Sequence, residues 1–236
     1  INAVLYELNM IDDNPAIKTI YFEDDVLNLP VSRFHIILNK LSQMNRYWFA
    51  YARGQFLDEE TVKLISISNC IGLYLGIESG SEFILSIMHK KVTLNDYKRM
   101  MTLLNQYNIT TVASFVIGFV GETEDTIKDT IRFINETGFT FVIPLLWYYS
   151  HNSPASAYSE QYALSGQGYS WTHFSMDSIQ ALNYINKMLI EIKSGSVLPI
   201  YDYTYWGLIK SITAGLTIKE IQLHLKEFNK KRISLI

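Results

Sequence analysis

The 236-residue chain is 48% hydrophobic and carries a formal net charge of −3, so it is expected to form a sizeable core and no basic nucleic-acid-binding surface. Its single cysteine, Cys70, excludes a disulfide framework, and no apolar run reaches the ~18 residues of a membrane span. These features predict a cytoplasmic protein with no nucleic-acid partner and no membrane partner.

The first ten residues already show the apolar spacing of a helix. Because this element is under way at Ile1, we expect the chain to be a fragment that lacks its natural N-terminus. A β-rich run at 17–22 follows and ends at the acidic residues Glu23, Asp24 and Asp25.

Helices and strands are then predicted to alternate. Pro30 suits the first turn of a helix that reaches about residue 44, because its φ is fixed and it has no N–H. Thr93 and Asp96 have the spacing of a capping box. Strands are predicted at 47–52, 71–77, 110–117 and 139–147, and further helices at 58–68, from Ser81, at 93–107 and at 123–137.

This alternation is typical of βα units on a parallel sheet, whose strands are apolar throughout because both faces are covered. The pattern changes beyond residue 149, where Gly- and Ser-containing loops precede helices predicted near 176–193, 200–213 and 217–233. We therefore predict a βα domain at 1–149 and a helical C-terminal extension at 150–236.

Polar residues at the predicted strand ends are the candidates for chemistry. Glu78 ends a buried strand, where a carboxylate needs a partner, and an ion pair with Arg53 is the ordinary structural explanation. Asp24 and Asp25 could bind a metal, act in acid/base chemistry or cap a turn. Gly118 lets the backbone approach a ligand closely, and Glu122 could support the turn that follows.

Three segments lie where an apolar strand gives way to a helix: Gly-Ile-Glu-Ser-Gly at 76–80, Met-His-Lys at 88–90 and Phe-Val-Ile-Gly-Phe-Val-Gly-Glu-Thr at 115–123. Together they resemble the S-adenosylmethionine (SAM) binding strands of radical SAM enzymes. The resemblance implies an α/β fold, a partial (β/α)6 TIM-like barrel that lacks its first strand and carries a helical C-terminal extension.

The resemblance also implies roles for individual residues. Lys90 would meet the methionine carboxylate of SAM, with Lys91 as the alternative if the register slips by one. Ser114 and Val116 stand in place of a glycine and an isoleucine of the family's adenine-contacting strand. The cofactor-binding residues implied in this way are Asp24, Arg53, Glu78, Ser79, Lys90, Val116, Gly118 and Glu122.

The Asp-Asp pair and the Gly-Tyr-Ser-Trp-Thr-His segment at 168–173, followed by Met176, resemble the cobalamin-dependent P-methyltransferase branch of that family. This implies methyl transfer with cobalamin held by an upstream domain. The substrate would be a small molecule or a peptide, and His151, Trp171 and His173 are the residues expected to contact it. The electron donor would be a flavodoxin or a ferredoxin.

One part of the family pattern is absent, because the CxxxCxxC loop that ligates the 4Fe-4S cluster does not occur in these 236 residues. The cluster ligands are therefore expected outside this chain, which would be inactive alone. In the family, the cluster reduces SAM and a 5′-deoxyadenosyl radical abstracts hydrogen from the substrate. The sequence identifies no catalytic residue and no metal ligand of its own.

Two other classes of function remain open from the sequence. The first is a non-catalytic barrel that binds SAM or another nucleotide after losing its cluster loop. The second is a conventional TIM-barrel enzyme that uses Asp25 and Glu78 in acid/base chemistry.

Overall fold

The computed structural model describes residues 1–198 and 205–234. Helices and strands alternate over the first 146 residues, as the sequence predicts. The five strands of this part are β1 (Thr19–Phe22), β2 (Tyr47–Ala52), β3 (Cys70–Glu78), β4 (Thr111–Ile117) and β5 (Phe141–Leu146).

The helices begin at the capping residues that the sequence indicates. Asp58, Thr93 and Thr123 each accept a hydrogen bond from a backbone N–H of the first turn. Pro30 is the residue before its helix and not the first residue within it. The helices are α1 (Asn2–Asp12), α2 (Val31–Leu41), α3 (Glu59–Ser66), α4 (Glu82–Ile87), α5 (Leu94–Gln106), α6 (Glu124–Thr137), α7 (Ser178–Glu191), α8 (Tyr205–Thr213) and α9 (Ile218–Ile233).

A six-stranded parallel sheet organises the molecule. Its strand order is β1-β2-β3-β4-β5-β9, where β9 is the two-residue strand Ser196–Val197. Each of the first four strands pairs in parallel with the next one along the chain, and β5 pairs in parallel with β9, so the predicted α/β architecture is confirmed.

The segment after residue 149 contains the helices α7, α8 and α9 of the predicted C-terminal extension, and it also contains strands that the sequence did not predict. It contributes β9 to the main sheet, and it also forms a small antiparallel sheet of β6 (Ser165–Gln167), β7 (Ser170–His173) and β8 (Met176–Asp177). These strands are too short to produce a visible alternation in the sequence. The start of the helix predicted at 200–213 lies outside the described residues.

The two faces of the sheet pack against different helices. On one face, Leu73, Leu75 and Ile77 of β3 belong to the large apolar cluster that includes α2, α3, α5 and α6. On the other face, α8 and α9 cover the first halves of the strands. The buried residues of this second cluster are Phe49, Ile71, Val112, Phe141, Ile143, Leu198, Leu208, Ile209, Ile221 and Leu225.

The helices of the described ranges 1–198 and 205–234 include none long and apolar enough to cross a membrane.

Candidate functional site

The carboxyl ends of the parallel strands meet at one edge of the sheet, where α/β proteins bind their ligands. Side chains alternate between the two faces of a strand. Because Leu75 and Ile77 point into the large apolar cluster, Gly76 faces the opposite side of the sheet. A Cβ on Gly76 would lie 2.8 Å from Oε1 of Glu78, so the Glu78 carboxylate lies on that face too. Ser114 of β4 is the register partner of Gly76 and lies beside it.

Glu78 and Lys90 form an ion pair at this edge. Lys90 Nζ lies 3.0 Å from Glu78 Oε1 and 3.4 Å from the carbonyl oxygen of Gly76. Both side chains stay partly exposed, at 24% for Glu78 and 36% for Lys90, so a ligand can reach them. The backbone of Glu78 adopts a φ of +72°, which is uncommon outside glycine and is found more often at functional sites.

Arg53 is not the partner of Glu78, which corrects the ordinary explanation considered from the sequence. The backbone of Arg53 is held by the buried side chain of Asn28, which accepts from its N–H and donates to its carbonyl oxygen, each at 2.9 Å. The Arg53 residue is exposed. Lys90 is the ion-pair partner of Glu78 instead, because the chain after α4 returns to the end of β3.

A tight turn follows β4 and contains two of the predicted cofactor residues. Gly118 has a φ of +88°, and its N–H donates to a carboxyl oxygen of Glu122. Glu122 is fully buried, and burial raises the pKa of its carboxyl group to about 8, although the Gly118 and Phe119 N–H groups oppose this rise. Glu122 therefore closes the turn, which is the structural role that the sequence left open.

Trp171 and His173 are placed differently from the sequence prediction of substrate contacts. Both are buried, with 3% and 4% of their surfaces exposed, because alternate residues of β7 point inward. Their rings are stacked, with planes 4° apart and centroids 5.3 Å apart. Trp171 Nε1 donates to the carbonyl oxygen of Trp147 at 2.8 Å, so the indole is fixed from its polar edge.

The remaining predicted residues are dispersed. Asp24 pairs with Arg33 at 3.1 Å, Asp25 is exposed, and His151 is exposed in a turn with Nδ1 3.2 Å from the Tyr149 hydroxyl. The Ser79 side chain is buried. Its hydroxyl accepts from the Ser81 N–H at 3.1 Å and lies 3.4 Å from the Thr130 hydroxyl.

The structure thus brings together Glu78 and Lys90, with Ser114 and the half-buried Val116 on the neighbouring strand. Sequence reasoning missed Tyr97 of α5, which is 3% exposed. Burial raises the pKa of its phenol, and the charge of Glu78 raises it further. The helical spacing of Tyr97 indicates a core residue and carries no signal of the nearby carboxylate.

Cys70 does not fit an iron–sulfur site. It begins β3 whereas Glu78 ends it, which separates them by about 26 Å at ~3.3 Å per residue. Burial raises the pKa of the Cys70 thiol to about 12, whereas cluster ligands are thiolates. Among the residues with described positions, no group of three His, Cys, Asp or Glu could hold a metal ion.

The charged side chains of the site match the charged groups of SAM. The methionine end of SAM carries a carboxylate and an ammonium group, and Lys90 and Glu78 offer one charge for each. Val116 offers a half-buried apolar surface on the neighbouring strand.

A parallel sheet flanked by helices, with its polar site at the carboxyl edge, defines the molecule as an incomplete α/β barrel. The family model of the Radical SAM superfamily matches residues 7–134, more than half of the chain. The chain belongs to this superfamily.

Two curated relatives extend the comparison. The chain is 29% identical over 161 residues to an uncharacterized methyltransferase of Pyrococcus horikoshii, which covers 64% of this chain and 35% of the relative. It is 26% identical over 163 residues to the tRNA-2-methylthio-N(6)-dimethylallyladenosine synthase of Buchnera aphidicola subsp. Schizaphis graminum, covering 62% and 35%. The chain therefore spans about a third of the length of these relatives.

Solved structures show the same fold at low sequence identity. The radical SAM methyltransferase TsrM from Kitasatospora setae, with cobalamin and a 4Fe-4S cluster bound, superposes with a TM-score of 0.60 at 18% identity. The match covers 68% of this chain and 33% of TsrM. The archaeal Elp3 of Methanocaldococcus infernus gives a TM-score of 0.57 at 11% identity and covers 91% and 58%.

Proposed function

We propose that this chain provides the SAM-binding barrel of a radical SAM enzyme, with SAM held at the carboxyl ends of β3 and β4. The ion pair of Glu78 and Lys90 carries the proposal, because it places opposite charges 3.0 Å apart at an accessible strand end. A pair in this position is costly to desolvate unless a ligand or solvent completes its hydrogen bonds.

In the bound state, Lys90 and Glu78 would each contact a different group of SAM. The Lys90 ammonium would donate to the carboxylate of the methionine moiety, a charge-assisted hydrogen bond. The Glu78 carboxylate would accept from the amino group of the same moiety. The half-buried Val116 would contact the adenine, and Ser114, beside Gly76, would line the space between the two ends of the cofactor.

SAM supplies the 5′-deoxyadenosyl radical or the transferred methyl group in this superfamily, and the protein positions it and excludes water. The cluster ligands would come from outside this chain, since Cys70 does not fit the role. We further propose an electron donor of the flavodoxin or ferredoxin class. Methyl transfer with cobalamin is the specific activity that the likeness to an uncharacterized methyltransferase and to the TsrM fold supports.

A small molecule or a peptide is the proposed acceptor. The Buchnera relative is a tRNA-modifying synthase by name, which makes tRNA the second candidate. The net charge of −3 favours the first class, because proteins that bind nucleic acid neutralise phosphates with Lys and Arg. Incubation of the full-length enzyme with bulk tRNA, followed by mass spectrometry of the nucleosides, separates the two.

The full-length protein, anaerobically loaded with iron and sulfide, tests the proposal. We expect it to bind SAM and, once reduced, to cleave it, and we expect Glu78→Gln to weaken both. Glu82→Gln is the matched control, because Glu82 lies four residues further on and its carboxylate accepts from the N–H of Leu94.

Three results would contradict the proposal. SAM binding without any cleavage would favour a non-catalytic barrel. No SAM binding at all would favour a conventional enzyme that uses carboxylates such as Asp25 and Glu78. Equal SAM affinities of the Glu78→Gln and Glu82→Gln proteins would remove Glu78 from the site.

A further inference from the structure

The antiparallel sheet of residues 165–177 packs against the turn at Gly118, because Trp171 contacts Gly118 and Ser175 bonds to Glu122. We infer that Trp171, His173 and Ser175 are positioning residues that hold the Gly118–Glu122 turn in the shape that SAM binding requires. This inference rests on the proposed function, and it adds three residues that lie after β5 in the chain to the determinants of cofactor affinity.

Trp171 fills the space where Gly118 lacks a side chain. A Cβ on Gly118 would lie 2.3 Å from Cη2 and 2.6 Å from Cζ2 of the indole, so the ring contacts the glycine backbone directly. The Cβ of Ala181 in α7 would also lie 2.8 Å from this Cβ. The missing side chain of Gly118 therefore serves the close approach of Trp171, and the turn cannot move towards the indole.

A chain of hydrogen bonds fixes the indole to the same part of the sheet. The Trp147 N–H donates to the carbonyl oxygen of Ile117 at 2.9 Å, and the Trp147 carbonyl oxygen accepts from Trp171 Nε1 at 2.8 Å. Trp171 is thus coupled to Ile117, which is adjacent both to Gly118 and to Val116, the proposed adenine contact.

Ser175 holds the other end of the turn. Its hydroxyl donates to the backbone carbonyl of Glu122 at 2.7 Å and lies 3.2 Å from Nδ1 of His173. Because the hydroxyl has one hydrogen and gives it to Glu122, Nδ1 is the donor in the second contact. Burial lowers the pKa of His173, which favours the neutral ring stacked against Trp171.

The turn is consequently held at both ends. The Glu122 side chain ties Gly118 from inside the turn, and the Glu122 backbone is tied to Ser175 from outside. Loss of one external contact should leave the fold intact, because the sheet and the internal bond remain. It should instead broaden the range of turn conformations and reduce the affinity for a ligand bound beside it.

Equilibrium binding of SAM to the oxidised, cluster-loaded full-length protein tests the inference, with hydrogen exchange of the peptide spanning 117–123 as a second readout. We expect Ser175→Ala to weaken SAM binding about 3- to 10-fold, the effect of one lost hydrogen bond. We also expect faster exchange in that peptide and little change in Tm. Ser175→Thr keeps the hydroxyl and should restore both readouts.

Ser156→Ala is the matched control. Ser156 is also half-buried, and its hydroxyl donates to a backbone carbonyl at 2.8 Å, but that carbonyl belongs to Ser153. It should match the wild type in both readouts. Trp171→Phe provides a second variant, and we expect it to weaken SAM binding in the same direction.

The outcomes separate this inference from the proposed function. If the wild type binds SAM, and Ser175→Ala and Trp171→Phe bind it within twofold of the wild type with unchanged exchange, the inference alone is overturned. If the wild type does not bind SAM, the proposed function and the inference both fail.

Discussion

Lys90 Nζ lies 3.0 Å from Glu78 Oε1, although the two residues are twelve positions apart in the chain and the whole of α4 lies between them. The carboxylate ends a strand and the ammonium group follows a helix, so one βα unit supplies both charges of the site. The adjacent Lys91 is exposed and lines a different groove, beside Gly54 and Arg99. Because the two lysines lie in different places, substituting each in turn tests which of them matches the basic residue of the family pattern.

Lys90→Ala should weaken SAM binding in the full-length protein by about 1.5–3 kcal/mol, because a charge-assisted hydrogen bond to the methionine carboxylate is lost. Lys91→Ala should leave the affinity unchanged. Isothermal titration calorimetry with the oxidised protein measures both. An effect confined to Lys91 would show that the register inferred from the sequence is off by one.

Glu122→Gln should reduce the pH dependence of stability. Between the unfolded pKa of 4.5 and the folded value of about 8, the folded protein retains a proton that the unfolded chain releases. The free energy of unfolding of the wild type should therefore fall as the pH rises from about 5 to 8, by a few kcal/mol in order of magnitude. Glutamine keeps an acceptor for the Gly118 N–H and does not titrate, so denaturant titrations should show a flatter profile.

The exposed Glu124 provides the control for this experiment. Its pKa is lowered by the hydrogen bond and charge of Lys128, so it stays ionised throughout this pH range. Glu124→Gln should run parallel to the wild type. A Glu122→Gln profile that is also parallel would show that the buried carboxyl group is ionised in the folded protein.

Gly118→Ala should destabilise the protein by about 2–5 kcal/mol. About 1–2 kcal/mol comes from the left-handed backbone, and the rest comes from overpacking against Trp171. Gly215→Ala is matched in conformation, with a φ of +97°, but its Cβ would meet nothing within 4 Å. It should cost only the backbone part. Equal losses in denaturant unfolding would show that Trp171 moves away at no cost.

Cys70→Ala should leave the iron content of the full-length protein unchanged. Cys70 is partly buried at the far end of β3, and burial raises the pKa of its thiol to about 12, so the thiol is protonated and unreactive at neutral pH. In the wild type, labelling of this thiol by a disulfide reagent should be slow until the protein is unfolded. Loss of one or more iron atoms per chain in Cys70→Ala would make Cys70 a cluster ligand.

Much of the fold could be predicted, because the signals are local. Apolar runs of four to nine residues between capped helices identify a parallel sheet, and residues such as Asp58 and Thr93 mark where helices begin. The strand β9 escaped prediction because two residues, Ser196 and Val197, show no periodicity. These two residues form a strand because they pair with β5 at the edge of the sheet.

The candidate site was predictable where one βα unit contains it and unpredictable where distant segments meet. Glu78 and Lys90 belong to one βα unit, and both were named through the resemblance to the radical SAM family, although the sequence did not predict their ion pair. Trp171 and His173 were predicted to contact the substrate because their segment resembles the cobalamin-dependent branch of the family. Their burial depends on the pairing of β7 with two short strands, and that pairing is invisible in composition.

The helices α8 and α9 cover only the first halves of the strands on the face that also carries Glu78. Along β4, the same face therefore passes from the fully buried Val112 to the half-buried Val116 within four residues. Mutations that alter ligand preference should consequently fall at the carboxyl ends of the strands. Mutations that alter folding should fall in their first halves. New specificities could then be selected at the upper positions of the strands while the lower positions remain unchanged.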